Sequence, residues 1–188
     1  MEETNMQLTP EQLMEIFVHR KDCFATQQDS GAYFPTKRPL MIHDIKNHLL
    51  GVTTVGLYCL TPDNNVAWAC VDIDSDSKGT DVSEMLRIKK EAKTCYDLFS
   101  DFPRMLEFSG RKGYHIWIFF RPITQALYAQ TLVKARLNTM VRTCSYEIFP
   151  KQTELNESRK YGNLVKLPLA YHKVSKKKSK IIKMEGVL

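Results

Sequence analysis

The segment VAWACVDID, residues 66–74, constrains the fold of this chain more than any other stretch. Its apolar, β-branched and aromatic composition predicts a strand, in which successive side chains point to opposite faces of a sheet. Asp72 and Asp74 therefore share one face, whereas Val71 and Ile73 lie on the other. Two neighbouring carboxylates repel each other unless water, hydrogen bonds or cations compensate their charge. The sequence thus predicts a strand with one buried face and one acidic face.

The elements that follow this strand define the topology. A helical pattern with one apolar stripe covers 81–102, and two strand patterns, 104–110 and 114–120, flank a loop that contains glycine. A second helix is predicted over 123–142 and a short strand over 145–149. The order strand, helix, strand, strand, helix, strand is that of RRM-like sheets. We therefore predict an α/β (α+β) fold with an RRM-like βαββαβ core.

The usual strand order of this motif, 4-1-3-2, sets the positions of the polar side chains. Under this order, the strand that carries Asp72 and Asp74 is central. It lies between the strand that carries His115 and the strand that carries Glu147. The helices would cover one face of the sheet, which leaves the acidic face for a substrate.

Two helices are predicted before this core. Thr9 and Gln12 form a capping box, with a proline between them in the first turn, and predict a helix over 9–21. A second, shorter helix is predicted over 41–51, and it ends at Gly51 because glycine readily adopts the left-handed conformation that closes a helix.

The remaining N-terminal segments are predicted as a loop and a β-hairpin. Residues 27–39 are rich in turn formers, which indicates a loop. Segments 53–60 and 64–74 are joined by the turn sequence TPDNN, which predicts that they pair as a hairpin. We predict one domain over 1–188, made of an N-terminal helical and β-hairpin module (1–53), the RRM-like core (54–172) and a basic tail (173–188).

The basic tail carries six lysines against one glutamate. A run of like charges usually forms a solvated segment, and this is the structure that we predict. A contact with a phosphate backbone is the alternative.

Charge and cysteine content bound the partners and the compartment. The net charge of +6 favours an anionic partner, of which nucleic acid is the most frequent, although solubility alone also accounts for such a charge. The five cysteines form no CxxC pair, which predicts reduced thiols and no structural zinc site. No apolar run reaches the roughly 18 residues of a membrane span, and the N-terminus is not signal-like. We expect a soluble cytoplasmic protein without a membrane partner.

The paired aspartates suit hard divalent cations, which prefer oxygen ligands. A solvated strand end is the alternative interpretation of the same residues. A calcium loop of the EF-hand type is excluded, because Ser77 stands where that loop requires glycine and Ser83 where it requires glutamate.

The loop SGRKGYH, 109–115, has the composition of a phosphate-binding segment. Its two glycines expose backbone N–H groups, and Ser109, Arg111, Lys112 and His115 supply hydrogen-bond donors and positive charge. It is not a Walker A loop, because no Gly-Lys-Ser/Thr sequence leads into a helix. The predicted sheet brings His115 beside the aspartates, so a cation site and a phosphate site are expected to adjoin.

The ordered motifs VDID, SGRKGYHIW, YEIFPKQ and YGNLVKLPLAYHK resemble those of the archaeo-eukaryotic primase superfamily. The similarity extends over about residues 17–173. It is greatest to the primase-polymerase domains associated with CRISPR loci and with TOTE-type conflict systems.

This resemblance implies an archaeo-eukaryotic primase fold and roles for individual residues. Asp72, Asp74 and Glu147 would be catalytic and bind two Mg²⁺ or Mn²⁺ ions. The nucleoside triphosphate would be bound by a set of polar and basic residues: Ser109, Arg111, Lys112, His115, Lys166 and His172. The implied activity is that of a DNA primase-polymerase, which adds nucleotides to a 3′-hydroxyl, with de novo initiation of primers and extension alone as the two alternatives. Single-stranded DNA template, primer and CRISPR adaptation proteins are the implied partners.

The residues alone also predict a template contact and allow two other functions. Arg20 and Lys21 lie among aromatic residues and are predicted to contact the template, the alternative being an aromatic core with solvated basic residues. A non-catalytic RRM-like module that binds single-stranded nucleic acid is the alternative to the enzyme. A metal-dependent nuclease would use similar carboxylates, but it has no evident use for a triphosphate site.

Overall fold

The computed structural model describes residues 6–77, 79–172 and 175–188, which form four α-helices and nine β-strands. The helices are α1 (Pro10–Phe17), α2 (Ile42–Leu49), α3 (Val82–Asp97) and α4 (Ala126–Leu137). The strands are β1 (Phe24–Gln27), β2 (Tyr33–Thr36), β3 (Val55–Tyr58), β4 (Asn65–Asp74), β5 (Arg104–Phe108), β6 (Gly113–Gln125), β7 (Ser145–Phe149), β8 (Leu164–Lys166) and β9 (Lys180–Glu185).

The larger sheet has five antiparallel strands in the order β7-β4-β6-β5-β9. Its first four strands, taken in chain order, have the arrangement 4-1-3-2, and the predicted α/β (α+β) class is confirmed. In this register Asp72 lies directly opposite His115 on one side and Glu147 on the other. The acidic strand β4 is therefore flanked by the two strands that the sequence placed there.

The two faces of the larger sheet are covered by different helices. On one face, Tyr146 lies opposite Ile73, and its hydroxyl donates to Glu91 of α3. Side chains directly opposite on antiparallel strands share a face, so α3 packs on the face away from Asp72. On the Asp72 face, the indole N–H of Trp68 donates to the carbonyl of Phe17, at the end of α1. The helix α1 thus closes one end of this face and leaves the aspartate end open.

The smaller sheet has four strands in the order β2-β1-β3-β8. The predicted hairpin of 53–60 with 64–74 is wrong, because β3 pairs with β1 and β8 while β4 belongs to the other sheet. All residues of β3 are buried, so it is an interior strand with a partner at each edge. The turn that was predicted forms, since Thr61 N–H donates to Asn65, but the chain uses it to pass between sheets.

The segment 27–39, predicted as a loop, contains the second strand of a hairpin. The strands β1 and β2 pair from Phe24 opposite Thr36 to Gln27 opposite Tyr33. Pro35 can take part because β2 is an edge strand, where a missing N–H leaves no ladder bond unmade. The hairpin therefore supplies two strands of the smaller sheet.

The prediction of a solvated basic tail is wrong for most of 173–188, of which 173–174 lie outside the described residues. Residues 180–185 form β9, which pairs with β5 at the edge of the larger sheet. Ile181 and Val187 are buried, and Glu185 forms an ion pair with the buried guanidinium of Arg104. The lysines dominate the composition, but the apolar residues between them supply the burial that holds the strand in place.

Replacing Ile181 by alanine is expected to lower the free energy of unfolding by about 2–4 kcal/mol, because the side chain is fully buried against the sheet. Urea unfolding measures this change. The exposed neighbour Lys180 provides the matched control, for which a Lys180→Ala change of less than about 0.5 kcal/mol is expected. Equal effects of the two substitutions would contradict the assignment of this segment to the sheet.

Candidate active site

The acidic strand presents a partly buried carboxylate, that of Asp72, of which one oxygen is buried. Asp72 Oδ1 is buried and has no hydrogen-bond partner among the described residues; the nearest cationic atom, Nε2 of His115, lies at 3.6 Å. Burial raises the pKa of the Asp72 carboxyl, and the neighbouring carboxylates of Asp74 and Glu147 raise it further against the opposing effect of His115. A buried anion with anionic neighbours favours the binding of a cation.

Lysines hold the other two carboxylates. The ammonium of Lys112 lies 2.6 Å from Asp74 Oδ2, and that of Lys151 lies 2.8 Å from Glu147 Oε1. No three His, Cys, Asp or Glu side chains of the described chain converge as a metal-binding group. The orphaned oxygen of Asp72 and the adjoining Asp74 still have the chemistry that a hard divalent cation requires, so the residues fit such an ion.

His115 is held by a glutamate that the sequence analysis did not identify. Glu107 of β5 is fully buried, and its Oε2 accepts hydrogen bonds from Nδ1 of His115 at 3.0 Å and from the indole N–H of Trp117 at 3.1 Å. Burial alone would lower the pKa of His115, but Asp72 and Glu107 outweigh it and raise this pKa above its ordinary value. Asp72, His115 and Glu107 therefore form a row of negative, positive and negative charge across β4, β6 and β5.

The structure brings most of the predicted site residues into one cleft on this face of the sheet. Eight of them line it together: Asp72, Asp74, Ser109, Arg111, Lys112, His115, Lys166 and His172. Glu147 does not line the cleft, although its strand position is directly opposite Asp72. Tyr33, Phe149 and Leu164 are among the other lining residues.

The two glycines of the 109–113 loop serve different purposes. Gly110 has a φ of +95°, which side chains rarely allow. Gly113 lies opposite Asp74, and a Cβ there would clash with the Ile73 carbonyl and the Asp74 carboxylate. The absence of a side chain at Gly113 thus lets the loop return directly beside the acidic strand.

Lys166 and His172 reach the cleft from outside the larger sheet. Lys166 of β8 donates to the backbone carbonyl of Ser109 at 3.0 Å, and burial lowers its pKa. The Nδ1 atom of His172 accepts from the Ser175 N–H at 3.1 Å, while the Ser175 hydroxyl donates to the Gly110 carbonyl at 2.8 Å. These bonds tie the smaller sheet and the C-terminal segment to the glycine loop.

The predicted template contact at Arg20 conflicts with its environment. The side chain is only 6% exposed, and its N–H groups donate to the Asp22 carboxylate and to backbone carbonyls of Leu60, Lys160 and Tyr161. These bonds use all five donors of a guanidinium, so none is left for a phosphate. Lys21 is exposed and lies outside the cleft.

A model of the archaeo-eukaryotic primase domain of TOTE conflict systems matches residues 11–186. Since the match covers most of the chain, this protein belongs to that family, as the resemblance predicted. Comparison with curated proteins gives no match. Membership indicates a primase-like nucleotidyltransferase of a generally metal-dependent family whose substrates are nucleic acid and nucleoside triphosphates. None of the helices in the described part of the chain combines the length and apolar character of a bilayer span.

Proposed function

We propose that this protein is a DNA primase-polymerase that adds nucleotides to a 3′-hydroxyl under the direction of a single-stranded template. The observation that carries the proposal is the buried, partnerless Asp72 oxygen beside a cleft lined by Arg111, Lys112 and Lys166. Such a site joins an anionic platform for cations to a cationic receptor for a triphosphate, and nucleotidyl transfer requires both.

The divalent ions would be held by Asp72 and Asp74, with Glu147 as the third carboxylate. When bound, two Mg²⁺ or Mn²⁺ ions would activate the 3′-hydroxyl and neutralise the leaving pyrophosphate. Lys112 and Lys151 would then exchange their carboxylate partners for phosphate or solvent. The ammonium of Lys112, 2.6 Å from Asp74 Oδ2, would pass from the carboxylate to the triphosphate.

The residues of the cleft would bind and orient the nucleotide. His115, whose raised pKa keeps it charged to higher pH than an ordinary histidine, would donate from Nε2 to a phosphate oxygen. Ser109 and the backbone N–H groups of the glycine loop would add neutral donors. Lys166, fixed by its bond to the Ser109 carbonyl, would contribute a charge that needs no reorganisation.

The non-catalytic binding module fits the site less well. RNA readers of the RRM type place aromatic side chains on their central strands to stack bases. Here the open end of the central strand β4 carries Asp72 and Asp74, which repel phosphates in the absence of a cation. A nuclease would share the carboxylates, and it is separated from a polymerase by its product.

A gel assay tests the proposal. Single-stranded DNA is incubated with labelled nucleotides and Mn²⁺ or Mg²⁺, with and without an annealed primer. Products in the absence of primer are expected for a primase-polymerase, and extension of primer alone for a polymerase without initiation. Loss of strand length would indicate a nuclease, and no reaction in either lane would favour the binding module.

Replacing Lys112 by alanine is expected to raise the KM for nucleotide about tenfold with little change in kcat, because a cationic contact to the triphosphate is lost. Lys90, exposed on α3, gives the matched control. Steady-state extension kinetics over a nucleotide series measure both parameters. A Lys112→Ala KM equal to that of Lys90→Ala would contradict the assigned role of Lys112.

A further inference from the structure

A second groove lies beside the cleft, between the β1–β2 hairpin and the segment 151–164. Tyr33, Pro35 and Tyr58 line one side, and the segment lines the other. The groove shares Tyr33 and Leu164 with the cleft, so the two are continuous.

The groove contains aromatic rings on a fixed support. The rings of Tyr58 and Tyr161 are stacked, with centroids 5.3 Å apart and an angle of 26° between their planes. The Arg20 guanidinium lies within 5.7 Å of both ring centroids and binds the carbonyls of Lys160 and Tyr161. Arg20 thus fixes the wall of the groove instead of binding a ligand itself.

The charge of the groove is positive. Lys151, Arg159 and Lys160 line it, and no aspartate or glutamate is among its lining residues. Arg159 and Lys160 are exposed and form no ion pair with any described residue. Lys151 pairs with Glu147 of β7 and thereby connects the groove to the strand next to the acidic strand β4. Cations without partners beside aromatic rings are the combination that binds single-stranded nucleic acid.

We propose that this groove binds the single-stranded template and leads it to the cleft; the inference rests on the proposed function. Arg159 and Lys160 would contact backbone phosphates, while Tyr161 and Tyr33 would provide surfaces for base stacking. Stacking is tolerant of sequence, as a template site must be. The continuity through Tyr33 and Leu164 places the strand next to the nucleotide that it selects.

Binding of a fluorescent single-stranded oligonucleotide, followed by anisotropy over a salt series, tests the charged contacts. Arg159→Glu with Lys160→Glu is expected to weaken binding by more than about tenfold and to flatten the salt dependence by about 1.4 units of slope, as for two lost phosphate contacts. The control, Lys90→Glu with Lys93→Glu on α3, makes the same change in net charge on the opposite face. Equal losses in the two double variants would overturn the proposal.

A second pair of variants tests stacking. Tyr161→Leu is expected to weaken oligonucleotide binding about fivefold or more without changing the salt slope, since stacking on one ring contributes about 1–3 kcal/mol. Tyr161→Phe keeps the ring and is expected to bind as the wild type does. Thermal melts verify that both variants fold. Unchanged binding by folded Tyr161→Leu would overturn the stacking role.

The same variants separate the groove from the active site. Nucleoside triphosphate binding, measured by calorimetry with Mg²⁺, is expected to be unchanged in Arg159→Glu with Lys160→Glu, because neither residue lines the cleft. If oligonucleotide binding depends on these residues but the wild type adds no nucleotide, the proposed role of the groove is supported and the proposed function is refuted. If the wild type adds nucleotides and the double variant binds template as tightly as the wild type does, only the proposed role of the groove is refuted.

Discussion

Replacing Asp72 by asparagine is expected to reduce nucleotide addition by about a thousandfold or more, equivalent to about 4 kcal/mol of activation free energy. The carboxylate lies at the centre of the acidic face, between His115 and Glu147, and its Oδ1 is buried without a hydrogen-bond partner in the described structure. Asparagine has nearly the same shape but cannot supply the negative charge that binds a divalent cation. The rate of the chemical step is therefore reduced. Single-turnover extension of an annealed primer measures this rate.

The stability of this variant is expected to remain close to that of the wild type. The raised pKa of Asp72 means that the folded protein binds its proton more readily than the unfolded chain does. The charged carboxylate is thus unfavourable to folding at neutral pH, and stability is lost as the pH rises through its folded pKa. Asparagine removes this cost while it also removes the attraction to His115.

Asp63, exposed in the turn between β3 and β4, supplies the control. Asp63→Asn carries the same chemical change and is expected to leave both activity and melting temperature unchanged. Activity in Asp72→Asn within tenfold of the Asp63→Asn value would contradict the catalytic role. A loss of folding in Asp72→Asn would be detected by circular dichroism and would require the Asp74→Asn variant as a second test.

Replacing Glu107 is expected to have the second largest effect, and the effect depends on the substituted residue. Glu107→Ala removes the acceptor of both the His115 and the Trp117 hydrogen bonds and leaves a buried cationic histidine beside a cavity. Breaking a buried charge pair in this way destabilises by about 3–5 kcal/mol. Chemical denaturation of the variant measures this loss.

Glu107→Gln keeps the volume and an acceptor oxygen but removes the charge. The pKa of His115 is expected to fall, because Glu107 is one of the two carboxylates that raise it. A smaller fraction of His115 is then charged at a given pH, so the KM for nucleotide is expected to rise by up to about tenfold, with a smaller change in kcat.

The pH dependence separates this positioning role from a merely structural one. In the wild type, the apparent pKa of nucleotide binding attributable to His115 lies above that of an ordinary histidine; in Glu107→Gln it is expected to shift to lower pH. Glu157→Gln, an exposed substitution of the same type, is the control. Parallel pH profiles for wild type and Glu107→Gln would contradict the role assigned to Glu107.

The central strand and its neighbours could be predicted because their information is local. The alternation of VDID fixes which side chains share a face, and the order of elements fixes the neighbours of this strand. The strands of His115 and Glu147 were therefore predicted on either side of the Asp72 strand, and the structure adds the register that sets both residues directly opposite Asp72. The nucleotide-binding roles of Lys166 and His172 were predicted from the family resemblance alone, because no local sequence pattern indicates that β8 and the following segment fold over the glycine loop.

Other features depend on tertiary contacts that the sequence pattern does not contain. The lysines of the C-terminal segment led to the prediction of a solvated tail, although the segment contains a strand in which Ile181 is buried. The predicted pairing of β3 with β4 was also wrong, because β3 is buried along its whole length as an interior strand of the other sheet. The residues around Arg20 have the composition of a nucleic-acid contact, but its five donors bind the nearby Asp22 carboxylate and three backbone carbonyls distant in sequence, those of Leu60, Lys160 and Tyr161. Glu107 was overlooked because a glutamate within an apolar strand gives no sign of its partner until the register with His115 is known.

Template-directed choice of nucleotide tests whether this protein is a template-dependent polymerase. One nucleotide at a time is offered to a primed template in which a single base, the one after the primer end, is varied through all four identities. Only the complementary nucleotide is expected to be added efficiently, and Asp72→Asn is expected to add none. Addition that ignores the template base, or no addition by the folded wild type with Mg²⁺ or Mn²⁺, would contradict this expectation.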